Sequence, residues 1–149
     1  MGAVITLDEV AAMALALPEV TEGTRWGTRT WSVKGKTFAW ERPLSKADRK
    51  RYGAAPMPEG DLLAVQVGDL GEKEAILAAG HKGFFTIIHF DNYPAVLVEL
   101  RLAGRKAVRE VLVDGWLECA PAQLARDYLE RAGLTDSSAA PFSDGRRSQ

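Results

Sequence analysis

The sequence predicts an α+β protein, with an antiparallel sheet, helices packed on one face of it, an N-terminal helix and two C-terminal helices. Two observations support this fold class. Segments typical of strands cluster in the middle of the chain instead of alternating with helices. Segments with apolar residues at helical spacing lie before and after that cluster. The 149 residues show no internal repeat, so we expect a single domain over residues 6–131 and a disordered polar tail over residues 132–149.

The first helix is predicted over residues 6–17. Thr6 and Glu9 have the spacing of a capping box, in which each side chain accepts from the other residue's backbone N–H. Apolar residues follow at helical intervals up to Leu17. Pro18 ends the helix, because proline disfavours helical geometry in the residue before it. The next segment, Glu19–Thr24, is polar and is predicted to be a loop.

A β-hairpin follows, with strands over Thr28–Lys34 and Lys36–Arg42 and a turn at Gly35. Alternation along the first strand places Trp31 and Val33 on one face of the sheet.

The same alternation on the return strand places Phe38 and Trp40 together on one face. We expect Trp31 and Trp40 to lie in the core and Trp26 to be the exposed aromatic residue.

The remaining chain is predicted to form one long loop and the other helices and strands of the α+β fold. They are a loop over Pro43–Gly60 with a short helix around Lys46–Tyr52, a central strand over Leu62–Val67, a helix over Glu72–Ala79, strands over Phe84–Ile88 and Ala95–Leu102, a helix over Gly104–Cys119, and a last helix that begins at Pro121. Gly115 lies inside the helix predicted over Gly104–Cys119, where it either weakens the helix or marks a close packing contact.

The amino-acid composition is that of a globular protein without a membrane-spanning helix. Hydrophobic residues make up 46% of the chain and charged residues 26%, as in ordinary globular proteins. No apolar stretch approaches the roughly 20 residues of a membrane-spanning helix, so no membrane association is predicted. The one cysteine, Cys119, excludes an internal disulfide framework and fits a reducing compartment. We therefore expect a cytoplasmic protein.

Charge is strongly segregated along the chain although the formal net charge is −1. Residues 25–51 contain nine basic and two acidic residues, a net charge of +7. Residues 101–109 contain four basic residues and no acidic one. Basic patches of this kind attract polyanions even at a near-neutral total charge. In the alternative interpretation, acidic and basic elements face each other in the folded protein.

Nucleic-acid binding is the function that these patches favour. Lysine and arginine neutralise phosphates, and an exposed aromatic face can stack on an unpaired base. The candidate DNA-binding residues are Arg25, Trp26, Arg29, Lys34, Lys36, Arg42, Lys46, Arg49, Lys50, Arg51, Arg105 and Arg109. The pI of about 6.1 is low for a nucleic-acid-binding domain, so we expect binding to DNA to be weak and salt-sensitive.

No catalytic residue, metal site or cofactor is predicted. His81, His89 and Asp91 do not have the spacing of a compact metal motif. Cys119 lies at a helix end, where a small buried hydrophobic side chain is the expected role. The chain has no nucleophile elbow, phosphate-binding loop or dinucleotide fingerprint.

Four stretches together resemble the MmcQ/YjbR family over residues 6–131: Ala14–Val20, Gly35–Ala39, Leu62–Val67 and Trp116–Pro121. The resemblance implies a fold similar to bacterial frataxin and a DNA-binding role for β-hairpins that form a "double wing". Because a fold does not determine a function, a protein-interaction or small-ligand-binding module remains the alternative. An uncovered sheet face with aromatic side chains would suit such a module or a homodimer.

Overall fold

The computed structural model describes residues 4–133. The helices are α1 (Leu7–Leu15), α2 (Lys46–Tyr52), α3 (Leu70–Ala78), α4 (Arg105–Cys119) and α5 (Ala122–Arg131). The strands are β1 (Val20–Arg25), β2 (Thr28–Val33), β3 (Lys36–Glu41), β4 (Leu62–Gln66), β5 (Phe84–Phe85) and β6 (Ala95–Glu99), and a 3₁₀ turn covers Ile88–Phe90.

The six strands form one antiparallel sheet in the order β1-β2-β3-β4-β6-β5. β4 lies between β3 and β6, and its nearly continuous apolar sequence is buried, as predicted for a central strand. The predicted α+β class is therefore confirmed.

One face of the sheet carries the main hydrophobic core, under α1, α4 and α5. Trp31 and Phe38 of the sheet and Trp116 of α4 are completely buried there. The ring centroids of Trp116 and Tyr128 are 5.0 Å apart, which joins α5 to α4. The indole N–H of Trp116 donates to the carbonyl of Pro18 at 3.0 Å, so its one polar group is satisfied.

The predicted helix boundaries depend on capping groups that the structure contains. Thr6 and Glu9 form the expected capping box at the start of α1. Ser45 and Asp48 form a second one at the start of α2, within the predicted 43–60 loop. Gly115 lies inside α4, where a Cβ atom would come within 2.8 Å of Val65 Cγ1. The glycine therefore marks a close packing contact between α4 and the sheet.

Residues 19–24, predicted to be a loop, belong largely to strand β1. Val20 pairs with Val33 and Arg25 with Thr28, so β1 is antiparallel to β2 along its whole length. Its side chains are almost all exposed because β1 is an edge strand. Apolar alternation, the usual signal of a half-buried strand, is consequently missing from its sequence.

Phe38 and Trp40 do not share a face of the sheet, contrary to the prediction. Trp31 pairs with Ala39 and Ser32 pairs with Thr37, which leaves Phe38 as the extra residue of a β-bulge. Phe38 and Ala39 both join the core under the helices. Trp40 is thereby directed to the opposite face of the sheet, where it is partly buried.

The strands near the far edge of the sheet are shorter than predicted. After β5 the chain turns into the 3₁₀ segment instead of continuing as a strand to Ile88. β6 ends at Glu99, because the N–H groups of Leu102 and Ala103 both donate to its carbonyl and form a turn. The polar tail predicted for residues 132–149 lies, from residue 134 onward, outside the described residues.

The second face of the sheet is only partly covered. A smaller apolar cluster contains Leu44, Ile87 and Phe90, with Tyr52 of α2 packed against it. Among residues 4–133, no helix combines the length and apolar character required to cross a membrane.

Candidate functional site

A cavity of about 530 Å³ lies on this second face, beside β2 and β3. We call it the open-face groove, and its main lining residues are Arg25, Trp26, Trp40, Arg42, Phe90 and Tyr93. The hydroxyl-bearing residues Thr28, Thr30 and Thr37 line it as well. The groove thus combines aromatic faces, arginines and hydroxyl groups with one carboxylate, that of Glu41, which accepts a hydrogen bond from the backbone N–H of Arg29 at 3.1 Å.

One side of the groove is an aromatic cluster built from two distant segments of the chain. The ring centroid of Trp40 lies 6.5 Å from that of Phe90 and 6.3 Å from that of Tyr93. Phe90 and Tyr93 are 5.4 Å apart in an edge-on arrangement. Edge-on and tilted contacts at these distances are favourable for aromatic rings, so the cluster is a well-packed unit.

The turn between β1 and β2 carries the most exposed aromatic residue of the described chain. Trp26 is 93% exposed and has a positive φ of 51°, and the following Gly27 has a φ of 80°. Two successive positive φ values are characteristic of the type I′ turn of two-residue hairpins. The guanidinium of Arg25 lies 5.6 Å from the Trp26 ring centroid, a cation–π distance.

Arg42 is held in the groove by contacts with α2 and the aromatic cluster. Its Nη1 lies 3.1 Å from a carboxylate oxygen of Asp48 and also donates to the carbonyl of Pro43. Its guanidinium carbon lies 5.5 Å from the ring centroid of Phe90. Both hydrogen bonds use Nη1, so the guanidinium retains donors at Nε and Nη2.

Asp48 is the buried carboxylate that fixes this arrangement. Its side chain is 2% exposed, and it is also paired with Arg51 at 3.2 Å. Burial would raise the pKa of Asp48, but hydrogen bonds from Ser45 and the charge of Arg42 outweigh it and keep the pKa below the ordinary value. Asp48 is therefore ionised at neutral pH and connects α2 to the groove.

Lys73 of α3 contacts the backbone of the segment that carries Phe90 and Tyr93. The residue is 5% exposed, and its ammonium group donates to the carbonyls of Phe90 and Tyr93. Burial lowers the pKa of Lys73, and the nearby charge of Asp91 acts against that shift. Lys73 therefore ties the segment that carries two groove residues to α3.

The structure brings some of the predicted DNA-binding residues together. Arg25, Trp26 and Arg42 line the open-face groove. The ion pair between Arg42 and Asp48 connects α2 to the groove. The basic residues of α2 are all exposed: Lys46, Arg49, Lys50 and Arg51.

Other predicted residues lie elsewhere on the molecule. Lys34 and Lys36 flank the β2–β3 turn, at the opposite end of the hairpin from Trp26. Strands of this length separate the two ends by roughly 20 Å. Arg109 is exposed on α4, on the other face of the sheet.

Arg29 and Arg105 form ion pairs on the helix-covered side. Arg29 contacts Glu22 at 2.7 Å and Asp8 at 2.9 Å. Arg105 contacts Glu9 at 2.7 Å. Hydrogen bonds from these arginines lower the pKa of Glu22 and of Glu9. For these two arginines, the interpretation in which basic and acidic elements face each other describes the fold.

Trp40, Phe90 and Tyr93 line the groove but are not among the residues predicted for a site. Trp40 is expected in the core because aromatic side chains mostly bury their area, whereas the bulge places it, partly buried, on the second face of the sheet. Phe90 and Tyr93 belong to the aromatic-rich segment His89–Tyr93, which lies between two predicted strands. That local density of aromatic residues was the available signal.

The other residues considered for metal binding or catalysis are His81, His89, Asp91 and Cys119. Within residues 4–133, no three His, Cys, Asp or Glu side chains are grouped so that they could hold a metal ion. Cys119 is partly buried, its sulfur lies 3.9 Å from the carbonyl of Thr37, and burial raises the pKa of the thiol. A raised pKa leaves little reactive thiolate at neutral pH.

Comparisons with known proteins give a family and its relatives. The family model described as YjbR matches residues 15–118. The uncharacterized protein Rv2570 of Mycobacterium tuberculosis is 40% identical over 131 residues, which cover 86% of this chain and 98% of the relative. The uncharacterized protein Mb2600 of Mycobacterium bovis matches with the same identity and coverage. No solved structure is a significant match.

Proposed function

The chain belongs to the YjbR family, and from that premise we propose that it is a non-catalytic, cytoplasmic DNA-binding protein whose contact surface is the open-face groove and the adjoining helix α2. The observation that carries the proposal is the groove itself. It holds aromatic faces and arginine side chains together on the part of the sheet that the helices leave uncovered. Nucleic-acid-binding surfaces combine these same two kinds of group.

The charge distribution supports this surface. Arg25 lies at the groove, and Lys46, Arg49 and Lys50 are exposed on α2. Asp48, the one acidic residue of α2, is buried against Arg42 and Arg51, so it presents no exposed carboxylate to an approaching phosphate. The exposed side of α2 is therefore positive.

Binding should be weak and strongly dependent on salt. The chain as a whole carries a net charge of −1, so attraction is confined to the local patch. Each phosphate that the patch neutralises releases condensed counterions, and the logarithm of the affinity falls by about 0.9 per phosphate for each tenfold rise in salt on duplex DNA, and by about 0.7 on single strands.

The direct test is fluorescence anisotropy with labelled single- and double-stranded DNA over a salt series. The test variant is Arg25→Gln combined with Lys50→Gln. A matched control, Lys34→Gln combined with Lys36→Gln, removes the same charge at the far end of the hairpin. We expect the test variant to bind more weakly, with a salt slope that is shallower by about 1.4 to 1.8. The control should retain the wild-type affinity and slope.

No binding at low salt would refute the proposal. Equal weakening in the two double variants would also refute the assignment to the groove, because it would show a response to total charge alone.

The alternative module, which binds a small molecule or another protein, has one specific observation in its favour. The groove volume lies within the roughly 300–1,000 Å³ typical of small-ligand pockets. Ile88 and Tyr93 are also exposed apolar residues close to it. If a free planar anion saturates the groove and DNA does not compete with it, the small-ligand function replaces the first proposal. Concentration-dependent mass in sedimentation would instead identify a homodimer.

A further inference from the structure

Trp26 occupies an unfavourable position in two respects. Its positive φ of 51° is rare for a bulky residue and costs about 1–2 kcal/mol relative to a right-handed conformation. Its indole, one of the largest apolar side chains, is 93% exposed to water. Asparagine followed by glycine would satisfy the same turn without either cost. A bound planar group would cover the indole and offset the second cost.

The groove next to Trp26 has the shape and chemistry for such a group. Trp40 and Tyr93 line the same cavity as Trp26. The threonine hydroxyls of Thr28, Thr30 and Thr37 can donate to or accept from polar ring edges. A planar ligand with hydrogen-bonding edges matches this set of groups better than an aliphatic ligand does.

Two arginines that line the groove could bind an anionic substituent of that ligand. Arg25 contacts the Trp26 ring, and Arg42 retains donors at Nε and Nη2 while it is paired with Asp48. A guanidinium fork is well suited to phosphate oxygens. The ligand class that satisfies the aromatic, polar and cationic groups together is a nucleobase linked to a phosphate.

We propose that the open-face groove binds one unpaired nucleobase of a single strand, stacked on Trp26, with the adjoining phosphate on Arg25 and Arg42. This inference rests on the proposed DNA-binding function and adds the strand state of the ligand to it. In a duplex, each base is stacked on both faces by its neighbours and paired along one edge. An intact duplex therefore offers no free base face to Trp26, whereas a single strand does.

The experiment compares single-stranded DNA with a duplex of the same sequence and length, at one low salt concentration. The variants are Trp26→Ala, Trp26→Tyr and Trp26→Asn, with Leu102→Ala as an exposed apolar control outside the groove. Trp26→Asn suits the positive φ of the turn and therefore separates loss of the indole from damage to the hairpin. Intrinsic fluorescence provides a second readout, because Trp26 is almost fully exposed, Trp40 is partly buried in the same groove, and Trp31 and Trp116 are fully buried.

We expect the wild-type protein to prefer the single strand, and Trp26→Ala and Trp26→Asn to lower that affinity about tenfold or more. Trp26→Tyr should retain most of the affinity because a tyrosine ring can also stack. Duplex binding should be insensitive to all three variants, and Leu102→Ala should change neither affinity. Single strands should quench the wild-type emission more than that of Trp26→Tyr, in which Trp40 is the one tryptophan left in the groove.

Failure of this inference can be distinguished from failure of the proposed function. If both forms of DNA bind equally and Trp26→Ala has no effect, while Arg25→Gln combined with Lys50→Gln still weakens binding, the base-binding groove is refuted and DNA binding stands. If neither form binds at low salt, both proposals are refuted.

Discussion

The ammonium group of Lys73 lies 2.9 Å from the carbonyl oxygen of Tyr93 and donates a hydrogen bond to it. A second bond from the same group reaches the carbonyl of Phe90. A buried lysine on α3 thus holds the backbone of the segment whose side chains form the aromatic side of the groove. The shape of the groove therefore depends on a residue that does not line it.

Replacing Lys73 with methionine should weaken both the fold and the groove. Methionine keeps a long unbranched side chain but removes the ammonium donor from the carbonyls of Phe90 and Tyr93, which then keep only their bonds from the N–H groups of Tyr93 and Ala95. Loss of hydrogen bonds from a charged group costs about 1.5–3 kcal/mol of unfolding free energy. Urea denaturation measures this loss, and DNA anisotropy should show weaker binding under conditions where the variant remains folded. Lys82→Met, at an exposed lysine, is the control and should change neither quantity. Equal effects of the two variants would contradict the role of Lys73.

Asp48→Asn should destabilise the protein in a pH-dependent way. The substitution leaves Arg42 and Arg51 without their carboxylate, and breaking a buried ion pair costs about 3 kcal/mol. Because the folded-state pKa of Asp48 lies below its ordinary value of 3.8, the carboxylate stabilises the fold fully above pH 3.8 and loses this effect as the pH falls through the folded-state pKa. Urea denaturation should show a large difference between wild type and variant at pH 7, and this difference should shrink as the pH falls below 3.8 and through the folded-state pKa.

Asp8→Asn is the matched control for Asp48→Asn. The Asp8 side chain is 91% exposed although it contacts Arg29, and surface ion pairs contribute at most about 1 kcal/mol. A difference at Asp48 that persists unchanged at acidic pH would contradict the assignment to its carboxylate.

Those parts of the fold that depend on local chemistry could be predicted from the sequence. The capping residues Thr6 and Ser45 begin helices, and Gly35 forms a hairpin turn, because the interactions involved span only a few residues. β1 escaped prediction because an exposed edge strand needs no apolar alternation. Its pairing is determined by β2, so no signal in Val20–Arg25 alone would reveal it.

The site was harder to predict than the fold because its two halves meet only through tertiary structure. Trp40 reaches the groove because the bulge at Phe38 reverses the face on which it lies. Tyr93 reaches the groove because the segment before β6 is held by Lys73, and because β6 lies between β4 and β5 in the sheet. The sequence itself contains three signals of the site: an exposed Trp26, the local excess of basic residues and the aromatic density of His89–Tyr93.

Gly115→Ala should be strongly destabilising although alanine is the better helix former. The added Cβ would lie 2.8 Å from Val65 Cγ1, 3.0 Å from the carbonyl oxygen of Gln66 and 3.3 Å from that of Phe38. Two of these atoms belong to the backbone and cannot rotate away, so α4 must shift from the sheet at a cost of about 1–3 kcal/mol. Thermal unfolding of the variant measures this cost.

Gly71→Ala in α3 is the matched control for Gly115→Ala. There the nearest atom to the added Cβ is Asp69 Oδ1 at 3.4 Å, an ordinary contact. Helix propensity should then dominate and leave the stability unchanged or raised by up to about 1 kcal/mol. Similar melting temperatures for the two variants would argue against the close contact at Gly115.

Trp26→Asn should make the protein more stable while it weakens DNA binding. Asparagine tolerates a positive φ, and Asn-Gly is the preferred pair for a type I′ turn, so the substitution relieves about 1 kcal/mol of backbone strain. Little packing is lost, because the indole is almost fully exposed in the free protein. The melting temperature should therefore rise while the affinity for single-stranded DNA falls.

Trp26→Ala separates these two effects. It removes the same indole without the turn preference of asparagine, so it should weaken DNA binding equally and raise the melting temperature less. A decrease in stability for Trp26→Asn would show that the indole contributes to the fold. That outcome would contradict the inference that Trp26 is exposed in order to bind a ligand.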